Sequence, residues 1–125
     1  MLANGRAVAF VPSADLGRAE RFYVHVLGLP KRSGDDFGLV VEAGGVTIRI
    51  ARVGDFEPQP FTVLGFDVED VEATARELTS KGIAFERYPG MTQSPAGIWT
   101  APGGSRIAWF KDPDRNVISI TQHQG

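Results

Sequence analysis

A chain of 125 residues, 42% of them hydrophobic, is long enough for one core and short for two, so we expect a single domain over residues 1–125. Its 13 Lys plus Arg against 15 Asp plus Glu give a net charge of -2, which argues against a nucleic-acid partner, and no apolar run approaches the ~20 residues of a membrane span. The chain has no cysteine and no amino-terminal apolar segment typical of a signal peptide, so we expect a cytoplasmic protein without disulfides, Cys-based zinc sites or membrane partners.

The first part of the chain predicts a strand, a helix and a hairpin. The strand covers Arg6 to Ser13, and Asp15 supplies the side chain that caps the following helix. Apolar residues recur along this helix at spacings of three and four, as one buried face requires: Leu16, Ala19, Phe22, Tyr23, Val26 and Leu27. Gly28 ends the helix. Two strands, 37–42 and 46–53, then form a hairpin through consecutive glycines.

After a linker at 54–60, the second part repeats this order. The predicted elements are a strand at 61–68, a helix at 70–82, a short strand at 83–88, and a hairpin of strands 106–110 and 117–122. A Gly- and Pro-rich segment, 89–105, interrupts the repeat, and its length predicts that residues 90–104 form a lid. The repeat indicates an α+β fold of two similar modules, about 6–53 and 61–122.

Alternation along the strands predicts which face each residue occupies. The isoleucines of the two matched strands, Ile48, Ile50, Ile118 and Ile120, are expected to lie under helices on the outer face. The opposite face carries a mixed set: Val8, Phe10, Thr47, Arg49, Val63, Ser119 and Thr121. Two curled sheets with such faces predict a concave cleft that binds a small molecule.

Arg49 is the residue of this set with the most specific chemistry. An arginine in the middle of a strand must be solvated, paired with a carboxylate, or given an anionic ligand. The sequence offers Asp67 and Glu42 as carboxylate partners, and an ion pair and a ligand remain equally open here.

Large apolar side chains concentrate around the lid and the last hairpin. They can floor and rim an apolar pocket, and an alternative places about half of them in the core or in a dimer contact. The set consists of Phe37, Tyr88, Met91, Trp99, Trp109 and Phe110. Trp99, within the lid, is the expected ligand contact, together with Trp109.

Catalytic groups are not evident. The two histidines are His25, expected on the outer face of a helix, and His123, expected in a tail after the last strand. Glu42, Asp67 and Glu69 are interpreted as solvated carboxylates. No Ser-His-Asp arrangement is recognisable from spacing.

Two segments resemble the vicinal oxygen chelate superfamily, which includes glyoxalases, bleomycin-resistance proteins and extradiol dioxygenases. They are VPSADLGRAERFYVHVLGLP (11–30) and IAWFKDPDRNVISITQ (107–122), and the resemblance extends from about Arg6 to Gln122. It implies two βαβββ modules with curled mixed sheets and a homodimer. The turn of the last hairpin usually reads Asp-Pro-Asp-Gly-Asn in this superfamily, whereas this chain has Arg115 in place of the glycine. Arg115 therefore either adopts a positive φ or the turn differs.

The resemblance also implies a divalent metal bound by one His, Glu or Gln side chain from each of four strands. In this chain, the corresponding positions are Val8, Arg49, Val63 and Ser119. Three of these side chains offer no donor to a cation, so we expect neither a metal nor another cofactor.

These observations favour a metal-free protein that binds a planar or amphipathic small molecule and resembles the bleomycin-resistance proteins, which act by sequestration. An alternative is a glyoxalase-like lyase or dioxygenase-like enzyme whose metal ligands lie at other positions, or a metal-free isomerase that uses Arg49 electrostatically. A third possibility is an interaction module whose cleft is filled by its own side chains.

Overall fold

A computed structural model describes residues 1–124, and the chain divides into two compact units, Met1–Glu57 and the residues from Pro58 onward. In the described residues, each unit contains one α-helix and one four-stranded mixed sheet, and the first unit also has a short 3-10 helix, Leu2–Asn4. The predicted α+β fold of two βαβββ modules is therefore confirmed. Within residues 1–124, none of the helices has the length and apolar character that a membrane crossing requires.

The first unit has the strand order β1-β4-β3-β2, with β1 parallel to β4 and the other pairs antiparallel. Its elements are β1 (Val8–Ser13), α1 (Leu16–Glu20), β2 (Lys31–Gly34), β3 (Gly38–Ala43) and β4 (Val46–Arg52). A π-helical segment, Arg21–Val26, continues α1. Helix α1 packs on β3 and β4.

The ends of this helical region follow the sequence prediction, whereas its interior differs. Asp15 Oδ1 accepts a hydrogen bond from the Arg18 amide at 3.0 Å, which caps α1, and Gly28 has a φ of 77° where the helical region ends. The predicted α-helix changes to π-helix because the Leu27 amide donates to the carbonyl of Phe22, five residues earlier.

The second unit has the strand order β5-β8-β7-β6, with β5 parallel to β8. Its elements are β5 (Thr62–Asp67), α2 (Val71–Ser80), β6 (Trp99–Thr100), β7 (Arg106–Lys111) and β8 (Val117–Gln122). Asp70 caps α2 through a 3.0 Å bond from the Ala73 amide, and the helix packs on β7 and β8.

The four isoleucines that were expected beneath the helices form the centre of each core. Ile48 and Ile50 lie on β4, against α1, and are 2% and 0% exposed. Ile118 and Ile120 lie on β8, against α2, and are 0% and 2% exposed. The alternation in the sequence therefore assigns the helix-covered face of each sheet correctly.

Two strand assignments need correction. The predicted strand at 83–88 is wrong, because this segment forms no strand and has one backbone bond to β7, from the Glu86 amide to the Trp109 carbonyl at 2.7 Å. Its apolar residues pack against the rest of the unit instead of pairing as a strand. Phe85, for example, packs edge-to-face on Phe110, with 5.6 Å between the ring centroids. The edge strand beside β7, on the side opposite β8, is β6, inside the predicted lid.

The turn between β7 and β8 explains the unusual arginine. Arg115 has a φ of 67°, so it adopts the left-handed conformation that favours glycine. The first of the two expected outcomes, a positive φ at Arg115, is therefore observed. Asp112, 5% exposed, holds the turn closed. Its Oδ1 accepts from the amides of Asp114 and Asn116, and its Oδ2 accepts from Asn116 Nδ2, each at 2.9 Å.

Candidate functional site

One sheet face of the first unit gathers four of the predicted site residues. In the parallel pairing of β1 with β4, Val8 lies opposite Thr47 and Phe10 lies opposite Arg49. Val40 of β3 lies on the other side of Arg49. These five residues lie on the side of the sheet opposite the isoleucines under α1, and we call them the Arg49 face.

This face exposes apolar surface beside a cation. Phe10 is 62% exposed and Val8 is 41% exposed, although both lie within a regular strand. The Arg49 side chain between Phe10 and Val40 is half-buried. The face therefore presents an aromatic ring and a guanidinium side by side, at paired positions of two neighbouring strands.

Within the first unit, the Arg49 guanidinium forms neither a hydrogen bond nor an ion pair, although its charge acts on the Asp35 carboxylate. The two carboxylates considered from the sequence are bound elsewhere: Glu42 Oε2 lies 2.7 Å from Arg32 Nε, and Asp67 Oδ1 lies 2.9 Å from His123 Nε2. Within the first unit, Glu42 is therefore paired with Arg32 and not with Arg49.

Gly38 provides the surface on which the guanidinium lies. A Cβ atom at this glycine would come within 2.9 Å of Arg49 Cζ, closer than van der Waals contact permits. The adjacent loop is fixed by Asp35, whose Oδ1 accepts from the Phe37 amide at 2.8 Å and the Gly38 amide at 3.0 Å. The guanidinium of Arg49 can therefore lie over residue 38 only because glycine has no side chain.

These amide bonds lower the pKa of the Asp35 carboxyl. The bond from Phe37, then the bond from Gly38, and finally the charge of Arg49 lower the pKa of the Asp35 carboxyl below its ordinary value. A carboxyl with a lowered pKa stabilises the fold above the unfolded-state pKa of about 3.9, and this contribution is lost as the pH falls through the folded-state pKa.

We expect Asp35→Asn to reduce the acid sensitivity of the fold. The amide oxygen still accepts hydrogen bonds but does not titrate. As the pH is lowered from about 5 to below about 3.9, the free energy of unfolding should therefore fall less in the variant than in the original chain. Urea midpoints measured across this range test the expectation, which equal acid losses in the two chains would contradict.

The second unit places the other predicted site residues on one face of its sheet. Across β7 and β8, Trp109 lies opposite Ser119 and Ile107 lies opposite Thr121, and Trp99 of β6 lies opposite Ile107. We call these five residues the tryptophan face. Val63, also predicted for the site, is half-buried on β5 where the register with β8 shifts.

Three of the predicted aromatic residues form one cluster. Trp109 contacts Tyr88 edge-to-face at 5.6 Å and Trp99 at 6.2 Å between ring centroids. Burial, followed by the charge of Glu86, raises the pKa of the Tyr88 phenol. Phe110, by contrast, is a core residue at 1% exposure.

The segment expected to be a lid is fixed within the second unit. The Gln93 side chain accepts from the Tyr88 amide at 2.8 Å and donates to the carbonyls of Glu86 and Gly97 at 2.9 Å each. Ile98 anchors the same segment at 3% exposure. Gln93 was missed from the sequence, where one glutamine among Ser, Pro and Gly gives no signal of a structural role.

His123 follows the last strand, as expected, and contacts a carboxylate at the end of β5. Its Nε2 lies 2.9 Å from Asp67 Oδ1, with 64% of the histidine side chain and 75% of the aspartate side chain exposed. His25 and Glu69 are exposed, as expected.

The donor chemistry does not fit a divalent cation. In the first unit, the positions indicated by the resemblance hold Val8 and Arg49, an alkyl group and a cation. In the second unit, they hold Val63 and Ser119, which supply one neutral hydroxyl. Among residues 1–124, His, Asp and Glu side chains nowhere gather in a group of three that could hold a metal ion.

Comparison with known proteins identifies relatives over almost the whole chain. Residues 6–120 match the family model of the glyoxalase/bleomycin resistance protein/dioxygenase superfamily. The uncharacterized protein YraH of Bacillus subtilis (strain 168) is 39% identical over 64 residues, which cover 51% of this chain and 44% of YraH. The match thus spans less than half of that relative.

Solved structures show the same fold at low sequence identity. Lactoylglutathione lyase from Agrobacterium tumefaciens superposes with a TM-score of 0.74 at 18% identity, covering 95% of this chain and 93% of the lyase. A superfamily member from Sphaerobacter thermophilus DSM 20745 superposes with a TM-score of 0.72 at 21% identity, covering 98% of this chain and 100% of that protein. At these identities, the likeness concerns the fold alone.

Proposed function

We propose that this chain, which belongs to the glyoxalase/bleomycin resistance protein/dioxygenase superfamily, is a metal-free binding protein for a small amphipathic molecule that carries an anionic group. The superfamily includes both enzymes and resistance proteins, so membership leaves the activity to be argued from the residues. Sequestration requires affinity alone, and no metal or catalytic base enters the proposal.

The observation that carries the proposal is the half-buried guanidinium of Arg49, which forms no hydrogen bond or ion pair within the first unit. A half-buried cation loses part of its hydration. In the first unit, Glu42 is bound to Arg32, and the Asp35 carboxylate accepts from backbone amides without a direct bond to Arg49. The planar fork of a guanidinium suits a carboxylate, which it can bind through two parallel hydrogen bonds. Phe10, opposite Arg49 and largely exposed, can contact the apolar body of the same molecule.

We expect 1-naphthoate to bind the chain and Arg49→Gln to weaken this binding about tenfold to a hundredfold, the range for a lost hydrogen bond to a charged group. Calorimetric titration gives the dissociation constants. Neutral 1-naphthamide has the same rings and should bind weakly. Arg49→Lys retains the charge without the planar fork, so its affinity for naphthoate should lie between those of the original chain and Arg49→Gln.

Arg21→Gln is the matched control, because Arg21 is exposed on the helical region of the same unit. Phe10→Ala should weaken naphthoate binding without loss of stability, since the ring is 62% exposed. Equal affinity of the original chain and Arg49→Gln for naphthoate, or no binding of either compound, would overturn the proposal.

The second candidate is an enzyme, and the observation that favours it is the fold shared with a lactoylglutathione lyase. This candidate requires a metal bound by residues other than the four positions of the resemblance. Thermal unfolding with Ni²⁺, Zn²⁺ or Mg²⁺ distinguishes the candidates. A melting temperature that rises with one of these ions would support the enzyme, whereas stabilisation by naphthoate alone supports the binding protein.

We also propose that the chain forms a homodimer. Large apolar side chains are exposed at several strand and loop positions, among them Phe37 at 75% and Phe61 at 59%. A second copy that covers such residues would remove them from water. Light scattering coupled to gel filtration should give twice the mass of the chain, and a single-chain mass at micromolar concentration would contradict this expectation.

A further inference from the structure

A groove in the second unit, separate from the tryptophan face, has the size of a ligand site. Helix α2, residues 83–85, Arg87 and residues 95–96 line an open groove of about 510 Å³, within the range of ~300–1,000 Å³ that small-molecule pockets occupy. Its accessible apolar lining comes mainly from Phe85, Ala96 and Pro95, whereas Ala75 and Ile83 lie at its base and are 0% and 9% exposed. The groove can therefore receive an apolar body.

The charged residues that line this groove are both cations, Arg76 and Arg87, and no carboxylate lines it. Arg76 has neither an ion pair nor a hydrogen bond within residues 1–124. The acid one turn before it, Glu72, lies 2.6 Å from Arg106, and the adjacent Glu77 faces Lys81 at 3.7 Å. The positive charge of Arg76 thus remains uncompensated beside the groove.

Arg87 is held in place at the other side. Its Nη2 donates to the Gln93 carbonyl at 3.1 Å and its Nη1 donates to the Pro95 carbonyl at 3.5 Å. These bonds satisfy part of its donor capacity and leave its charge, because backbone carbonyls are neutral. A ligand would therefore meet one fixed and one unpartnered guanidinium.

We propose that this groove is a second binding site, for a small molecule with an apolar body and one anionic group. The charge selects an anion, and the accessible apolar lining selects an apolar chain or ring. The proposal is independent of the Arg49 face, because it uses different residues in the other unit.

Titration of the full chain with octanoate, followed by amide chemical shifts in NMR spectra, tests this site. Shifts are expected at residues 75–79 and 83–87, and octanamide, which has no charge, should bind about tenfold more weakly. Arg76→Gln should weaken octanoate binding about tenfold, whereas Arg115→Gln, which removes an exposed cation from the hairpin turn, should leave it unchanged.

A second variant tests the volume of the groove. Ala84 lines it and is exposed, so Ala84→Trp should fill the groove without disturbing the core and should abolish the octanoate shifts. Arg49→Gln should leave the shifts intact. Shifts confined to residues 8–10 and 47–49, equal affinity for octanamide, or undiminished binding by both Arg76→Gln and Ala84→Trp would overturn the proposal.

Discussion

Replacing Asp112 by alanine is expected to lower the free energy of unfolding by about 3 kcal/mol, because buried donors that lose their acceptor cost about 1–3 kcal/mol each. The carboxylate accepts from the amides of Asp114 and Asn116 and from the Asn116 side chain. Asn116 is 1% exposed, so water does not readily replace the lost acceptor. The cost is limited to this range because the turn can partly relax.

Urea unfolding of the two chains measures this difference. Arg115→Gly, in the same turn, is the control: glycine relieves the positive φ of Arg115, a gain that its greater freedom in the unfolded chain offsets in part. It should therefore be neutral or slightly stabilising. A loss below about 1 kcal/mol for Asp112→Ala would show that the carboxylate contributes little beyond one ordinary hydrogen bond.

Gly97→Ala is expected to be similarly destabilising, by about 3 kcal/mol, through two separate causes. Gly97 has a φ of 92°, which costs a residue with a Cβ atom about 1–2 kcal/mol. A Cβ at this position would also lie 2.9 Å from the Cβ of Phe85, whose ring packs on Phe110. Displacing a core side chain in this way typically costs about 1–3 kcal/mol.

Two other glycines separate these causes. Gly90 has a φ of 83° with no atom within 4 Å of an added Cβ, so Gly90→Ala should show the backbone cost alone. At Gly103 there is open space and no positive φ, so Gly103→Ala should change stability by less than about 0.5 kcal/mol. Thermal unfolding of the three variants should rank them in this order, and equal losses at Gly97 and Gly90 would contradict the predicted overlap with Phe85.

Most of the elements could be predicted because each sheet has one buried face. The alternation of Ile48 with Arg49 and of Ile118 with Ser119 carries this information in the sequence. Strand β2 could not be found in this way, since its residues, Lys31 to Gly34, are all exposed at the edge of a sheet and show no apolar alternation. The segment 83–88 was wrongly predicted as a strand because it is rich in apolar residues. Ile83 and Phe85 are packed in the unit, but the segment does not pair as a strand.

Strand parity also predicted the faces on which the candidate site residues lie, since the register places Phe10 beside Arg49 and Trp109 beside Ser119. The partners of the charged side chains could not be predicted. The choice of Glu42 for Arg32 depends on how the bulged strand β2 aligns with β3. Such pairings are decided by geometry between distant segments, which spacing along the chain does not encode.

The parallel pairing of the first and last strands of each unit has a consequence for synthesis on the ribosome. Among the described residues, β5 borders only β8 in its sheet, and β8, which begins at Val117, is the last strand of the unit. The hairpin of β7 and β8 is local, whereas β5 must wait for nearly the whole unit to emerge. A product of premature termination before residue 117 would therefore carry β5 as an unpaired edge, a ready template for aggregation.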